Sequence, residues 1–288
     1  MSPAALSLNS PGIDPSHLAG AAELLVLDAQ RPSAQIGEGW ALLVYCQRGS
    51  LRLRLPHAQP LLMAGESALC SQDLPATVVL DRGSQALLLR VEQQALRAGL
   101  QRLDPTHRFE PMWITAVHHD SQALGDALAS VPGESSARSL SDIALQRCLR
   151  EALTLDARYA PLQRRCAGRT SAQRRAVLAR FERTRLRFAW CDSLLDADVD
   201  DLARCTAYTR WHFIRSFTAI YGETPAEFLR EVRLNWCAAK LAETDLAISE
   251  IACMSGYGSH ASFARAFRSH YGRCASEWRF GHVAPARR

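Results

Sequence analysis

The chain has 288 residues, 48% of them hydrophobic, enough for two domains with cores of their own and too many for a disordered chain. Its net charge of +5 is unevenly placed: residues 1–170 hold 16 arginines against 16 acids, whereas residues 171–288 hold 18 basic residues against 13 acids, so the excess sits where a polyanion would be met. No apolar run reaches the roughly 18 residues of a membrane span, and Met1–Asp14 has no basic stretch leading into an apolar one, so a cytoplasmic location and no membrane partner are expected.

The N-terminal half alternates short β-rich runs with turn residues. Strands are predicted over Glu23–Leu27, Trp40–Gln47, Ser50–Leu55, Ser67–Cys70, Thr77–Leu80 and Gln85–Val91, with Arg48-Gly49 and Ala64-Gly65 as turns, and a last strand over Met112–Val117. Such spacing suggests a sandwich or barrel. The period then becomes helical over Gln122–Val131 and Leu140–Tyr159, the second with Ile143, Leu145, Leu149, Ala152 and Leu153 as its apolar positions. Pro161–Thr170 reads as a polar, basic linker. Nine cysteines, Cys46, Cys70, Cys148, Cys166, Cys191, Cys205, Cys237, Cys253 and Cys274, form no Cys-x-x-Cys pair, and their odd number suits reduced thiols packed as small hydrophobes.

From Ala172 onward the pattern is helix and tight turn, and it repeats at an offset of 50 residues. Phe213, Arg215, Phe217, Tyr221, Gly222 and Glu227 match Phe263, Arg265, Phe267, Tyr271, Gly272 and Glu277, six identities between Trp211 and Phe228 where chance supplies about one. In the first copy Asp198 caps a helix over Val199–Cys205, Thr206-Ala207-Tyr208 turns, and Thr209 caps a helix over Arg210–Ala219. In the second, Glu250–Met254, the turn Ser255–Gly258, the cap Ser259 and a helix over His260–His270 repeat the plan. The phenylalanines four apart face inward, which leaves Trp211, Ile214 and Arg215, and His260, Ala261, Ser262, Ala264 and Arg265, on the outer side. Pro225–Leu241 forms the helix between copies, with Leu234, Cys237 and Leu241 as its buried seam. Arg174, Arg175, Arg180, Arg183, Arg185 and Arg187 lie opposite Val177, Leu178, Phe181 and Leu186, the pattern of an amphipathic surface helix. A helix-turn-helix unit sets the first half of its second helix against base edges, where arginine grips guanine with two hydrogen bonds.

The stretches YTRWHFIRSFTAIYGETPAEFLREVRL and ISEIACMSGYGSHASFARAFRSHYGRCASEWR resemble the AraC/XylS family of bacterial transcription regulators over roughly residues 180–280. The resemblance implies a sequence-specific DNA-binding regulator with no catalytic residues and no cofactor or metal. By position it implies DNA contacts from Thr209, Arg210, Trp211 and Arg215 in the first unit and Ser259, His260, Ser262 and Arg265 in the second. Arg233 stands where the family keeps a structural arginine. Ala207 and Cys274-Ala275 depart from the family's usual turn glycine and Ser-Pro.

YCQRGSLRLRL and PLLMAGESALC resemble the cupin-type β-barrel that often precedes this domain, though the His-x-His pair of a metal cupin is missing. His57 stands alone, and His118 and His119 are neighbours that point to opposite strand faces. The expected fold is therefore a two-domain α+β chain: a cupin-like barrel over 1–118 for effector binding, a helical linker or dimerisation segment over 119–170, and a tandem helix-turn-helix domain over 171–288, with units at about 198–219 and 249–270. Double-stranded DNA is the expected partner, with RNA polymerase, a small-molecule effector and a second copy of the chain as further candidates. A ligand-free barrel acting as a dimerisation scaffold, and a cupin-type enzyme with a DNA-binding tail, are the alternatives for the N-terminal half.

Overall fold

The computed structural model describes residues 21–56, 58–70, 75–103, 114–132, 137–190 and 197–282. Among the described residues ten strands form two antiparallel sheets. β1 (Ala22–Leu27), β3 (Trp40–Arg48), β6 (Ser67–Cys70), β8 (Gln85–Glu92), β9 (Ala116–His118) and β10 (Ala137–Ser139) make one, in the order β10-β1-β8-β3-β6-β9. β2 (Ser33–Ile36), β4 (Ser50–Arg54), β5 (Leu61–Met63) and β7 (Ala76–Leu80) make the other, in the order β2-β7-β4-β5. Among the described residues the outermost strands of the two sheets are not paired with one another, so the expected cupin-type barrel is not closed; the Arg48–Gly49 turn takes the chain from one sheet to the other, with Gly49 at φ +72°.

The alternation of side chains along β3 explains the continuous apolar run of its sequence. Leu42, Val44 and Cys46 point to the four-stranded sheet, where they meet Leu51, Leu53, Leu62 and Val78, while Ala41, Leu43 and Tyr45 point the other way. That second face is covered by α1 (Gln93–Leu103), α2 (Gln122–Ala129) and α3 (Asp142–Ala157). The six-stranded sheet is thus buried on both sides, whereas β4 alternates buried Leu51 and Leu53 with exposed Arg52 and Arg54. Gly125 permits the approach of α2: a Cβ there would collide with the ring of Tyr45, whose hydroxyl donates to Gln122 Oε1 at 2.9 Å.

Several expectations are corrected. The stripe that α3 buries is Leu145, Cys148, Leu149, Ala152 and Leu155, and Ile143 is 83% exposed. The basic linker contains a further helix, α4 (Ala160–Arg165), begun by Pro161 in its first turn, where the missing N–H costs nothing. The strand expected last, over Met112–Val117, is Ala116–His118 and is followed by a further one, β10; Met112 and Trp113, like His57 and Cys191, lie outside the described residues.

The remainder is helical: α5 (Ser171–Ala189), α6 (Val199–Thr206), α7 (Arg210–Tyr221), α8 (Pro225–Glu243), α9 (Ile248–Met254), α10 (His260–Tyr271) and α11 (Ala275–His282). Two aromatic-rich cores organise it. Phe181, Phe213, Phe217 and Phe228 pack together in the first, with Phe181 stacked on Phe213 at 5.4 Å, and Phe263, Phe267 and Trp278 centre the second. Among the described residues no helix is long and apolar enough to cross a membrane.

Candidate nucleic-acid interface

Each unit is a short helix, a left-handed turn and a longer helix, and local chemistry fixes every boundary. Asp198 accepts from the N–H groups of Asp200 and Asp201, and Asp201 returns a bond to the N–H of Asp198, which starts α6 and holds the Asp201 carboxyl below its usual range. α6 ends at Ala207, which adopts φ +56°. Thr209 accepts from the N–H of His212 to start α7, and Gly222, at φ +80°, ends it. In the second unit Glu250 accepts from the N–H of Ala247 and Ser259 from that of Ser262, while Gly256 and Gly272 take the positive φ angles.

The two units superimpose chemically at two different offsets. Thr206 Oγ1 donates to the carbonyl of Ala203, and Ser255 Oγ to that of Ala252, both at 2.9 Å. The N–H of Tyr208 bonds the carbonyl of Ala203, and that of Tyr257 bonds Ala252. The first helix and turn therefore repeat at 49 residues, and the second helix at 50. Gly258 is the additional residue, lying between Tyr257 and Ser259 where Tyr208 runs directly into Thr209. Ala207 occupies the place of Gly256, so an alanine holds a left-handed position that its counterpart fills with glycine.

α8 belongs to both cores. Its first half contributes Phe228 and Leu229 to the first, its second half Leu234, Cys237, Ala238 and Leu241 to the second. A capping box between Thr224 and Glu227 starts it, and the same contacts hold the Glu227 carboxyl below its usual range. At 1.5 Å per residue its 19 residues span about 28 Å. Arg233, midway, donates from Nη2 to the carbonyl of Ala197 at 2.8 Å, a bond within the protein that ties the middle of α8 to the start of the first unit.

Phe213, Phe217, Phe263 and Phe267 are fully buried, which fixes the outward faces of α7 and α10. Trp211 is 68% exposed, and the guanidinium of Arg215 lies over its ring at 5.4 Å. Arg210 is exposed and ion-paired with Asp200 at 2.6 Å. His260 and Arg265 are exposed, Arg265 with its Nε 3.4 Å from the carbonyl of Ala261. Thr209 and Ser259 are engaged as caps, and Ser262, half-buried, donates its hydroxyl to the carbonyl of Ser259 at 2.8 Å. The fold thus brings Trp211 and Arg215 together on one stripe of α7, sets His260 and Arg265 on α10, and turns Thr209, Ser259 and Ser262 toward the helix ends. His212, exposed and with its ring 4.5 Å from that of Tyr208, was missed in the sequence. The offset of 50 that pairs Arg215 with Arg265 pairs His212 with Ser262, and this signal would have found it.

A helix-turn-helix domain model matches residues 202–280, the span of both units. The probable transcription factor PqrA of Proteus vulgaris is 34% identical over 87 residues, which cover 30% of this chain and 71% of that protein. The chain belongs to the AraC/XylS family of transcription regulators. The regulatory protein SoxS of Escherichia coli strain K12 is 32% identical over 93 residues, covering 32% of this chain and 87% of SoxS. Among solved structures, the DNA-binding domain of AdpA in complex with a target DNA aligns at 24% identity over 37% of this chain and 96% of that one, with a TM-score of 0.33. As a member of this family the chain is a DNA-binding transcription regulator, and its DNA-binding unit is the helical C-terminal part.

Of the cysteines, Cys46, Cys70, Cys148, Cys166 and Cys237 are buried, and burial pushes the Cys46 thiol up to about 11 and that of Cys70 to about 12, which keeps them protonated. Cys205 and Cys253 are exposed, contrary to the expectation that all serve as core. His118 is buried, while His119 is exposed and hydrogen-bonded to Glu66, so the two neighbours do point apart. No cluster of three or more metal-binding side chains occurs among the described residues.

Proposed function

We propose that the chain, in the cytoplasm, reads an asymmetric duplex site with both helix-turn-helix units at once, α7 and α10 entering successive major grooves on one face of the DNA. The observation that carries this is the shared helix: α8 is built into both cores, so the two units keep one separation, which reading successive grooves requires to match a repeat of about 34 Å. Arg215 and Arg265 are the base readers, each able to take guanine O6 and N7 together. Trp211, Arg210, His212, His260 and Ser262 contribute further base or phosphate contacts, and Thr209 and Ser259 present their helix N-termini to the backbone. Domain boundaries near residues 118 and 170 are part of the same proposal, as is RNA polymerase as the eventual partner. Selection of bound sites from random duplex DNA tests it: Arg215→Ala and Arg265→Ala should each relax one base position, about 10 base pairs apart, and relaxation at one common position, or at none, overturns it.

Two readings compete for the N-terminal half, control by a small-molecule effector and a scaffold that sets the spacing of protomers. The space between the sheets is filled by the protein's own side chains, among them Leu42, Val44, Leu51, Leu53, Leu62, Val78 and Leu88, which favours the scaffold. Sedimentation of the full chain with and without selected DNA should then give a dimer; a monomer whose DNA affinity shifts with a metabolite fraction favours the effector.

A further inference from the structure

The interdomain linker runs beside the first reading helix. Cys166, just past α4, is buried in the first core, and Arg165 Nη1 donates to the carbonyl of Ile220, in the last turn of α7, at 3.1 Å. Between linker and helix a cleft of about 430 Å³ opens to solvent, with Arg165 and Ala167 on one wall and Trp211, Arg215 and Ala219 on the other. Those three residues of α7 are spaced four apart, so the cleft lies along the face that carries Arg215. No carboxylate lines it, while two guanidiniums and His212 do. A guanidinium has five donors, and among the described residues the bond to Ile220 takes only one from Arg165.

A major groove is bordered by a phosphate backbone on each side, so a helix seated in it has a strand along either flank. Arg165 stands across the cleft from the base-reading stripe, where such a strand would pass. We infer that Arg165 binds a DNA phosphate flanking the bases read by α7, which makes the linker part of the DNA-binding surface. This rests on the proposed seating of α7 in the groove, and Arg165 lies outside the segment that matches the helix-turn-helix model. Because α4 directly follows α3, the contact would also place the N-terminal half at one end of the bound site.

The full chain and a duplex that it selects from random DNA provide the test, with affinity measured by fluorescence anisotropy across a potassium chloride series. Arg165→Ala should weaken binding about fivefold to selected and unrelated duplexes alike and lower the salt slope by about 0.9, the value for one phosphate. Arg165→Lys, which keeps the charge but not the planar fork, should restore the slope. An unchanged slope in Arg165→Ala overturns the assignment, and so does a lysine variant as weak as the alanine one, since the residue would then act through Ile220 alone. Loss of base preference in Arg165→Ala likewise overturns it. Failure of the wild-type chain to select any sequence removes the seating of α7 and this contact together, whereas normal selection with an unaltered Arg165→Ala slope removes only the contact.

Discussion

Arg175 Nη2 lies 2.9 and 2.7 Å from the two carboxylate oxygens of Asp156, joining α3 of the N-terminal half to α5, which carries Phe181 into the first DNA-binding core. Asp156 is 9% exposed and also accepts from the N–H of Ile114. A second tie, from the N–H of Gln59 to the carbonyl of Trp190 at 3.1 Å, fixes the far end of α5 to the β-rich half. Asp156→Ala removes a buried carboxylate that accepts from both Arg175 and the N–H of Ile114, so it should cost about 2 kcal/mol in urea unfolding. A loss below about 0.5 kcal/mol would mean that solvent screens the pair as it does at a surface.

Ala207 offers the opposite sign. A left-handed alanine is strained by about 1 kcal/mol relative to glycine, and Gly256 shows the fold using glycine at the equivalent place. Ala207→Gly should therefore raise stability by about 1 kcal/mol, seen as a higher Tm, with base preference unchanged. A lower Tm would show that the flexibility glycine gives the unfolded chain outweighs the strain.

Acid should loosen the region around His118. Burial, then Arg158 and His119, lower its imidazole to about 4, and it packs edge-on against Tyr159 at 5.8 Å. Between pH 6.5 and 4 the unfolded chain binds a proton there that the folded chain refuses, so stability falls as pH drops through that window. The loss should approach about 3 kcal/mol, and His118→Phe should flatten the dependence of Tm on pH over the same range. An identical pH profile in the variant would assign the acid sensitivity to other groups.

The rigidity of α8 can be tested by breaking its phase. One alanine inserted between Arg233 and Leu234 turns everything beyond it by about 100°. Affinity for the full selected site should drop to that of a single half-site, read by anisotropy on whole and half duplexes. Undiminished full-site binding would show the two heads to be flexibly joined.

The sequence makes the DNA-binding half far more legible than the other. Phenylalanines four apart, Asp198, Thr209, Thr224 and Ser259 as caps, and the duplicated Arg215 and Arg265 are local signals, and helices are held by local bonds. The insertion at Gly258 escaped because the identities lie in the second helix and beyond, where the offset is uniformly 50. In the N-terminal half β2, β5 and β10 are edge strands of three or four residues, too short to alternate visibly, and they exist only because β7, β4 and β1 offer them partners. Ile143 is apolar but off the stripe: two residues before Leu145, it stands about 200° around α3, on the face opposite the buried one. The contact of the linker with α7 joins residues 55 apart, and no periodicity encodes such a contact.

The duplication is imperfect where it counts. Arg210 and Trp211 head one reading helix, His260 and Ala261 the other, and only the second unit carries Gly258. With both helices seated in the duplex as proposed, DNA bound by one chain has a left end and a right end that cannot be exchanged. Reversing the site about its midpoint presents different bases to each helix, so a promoter occupied by this protein is occupied with a heading, and whatever lies on one side of it is addressed differently from whatever lies on the other.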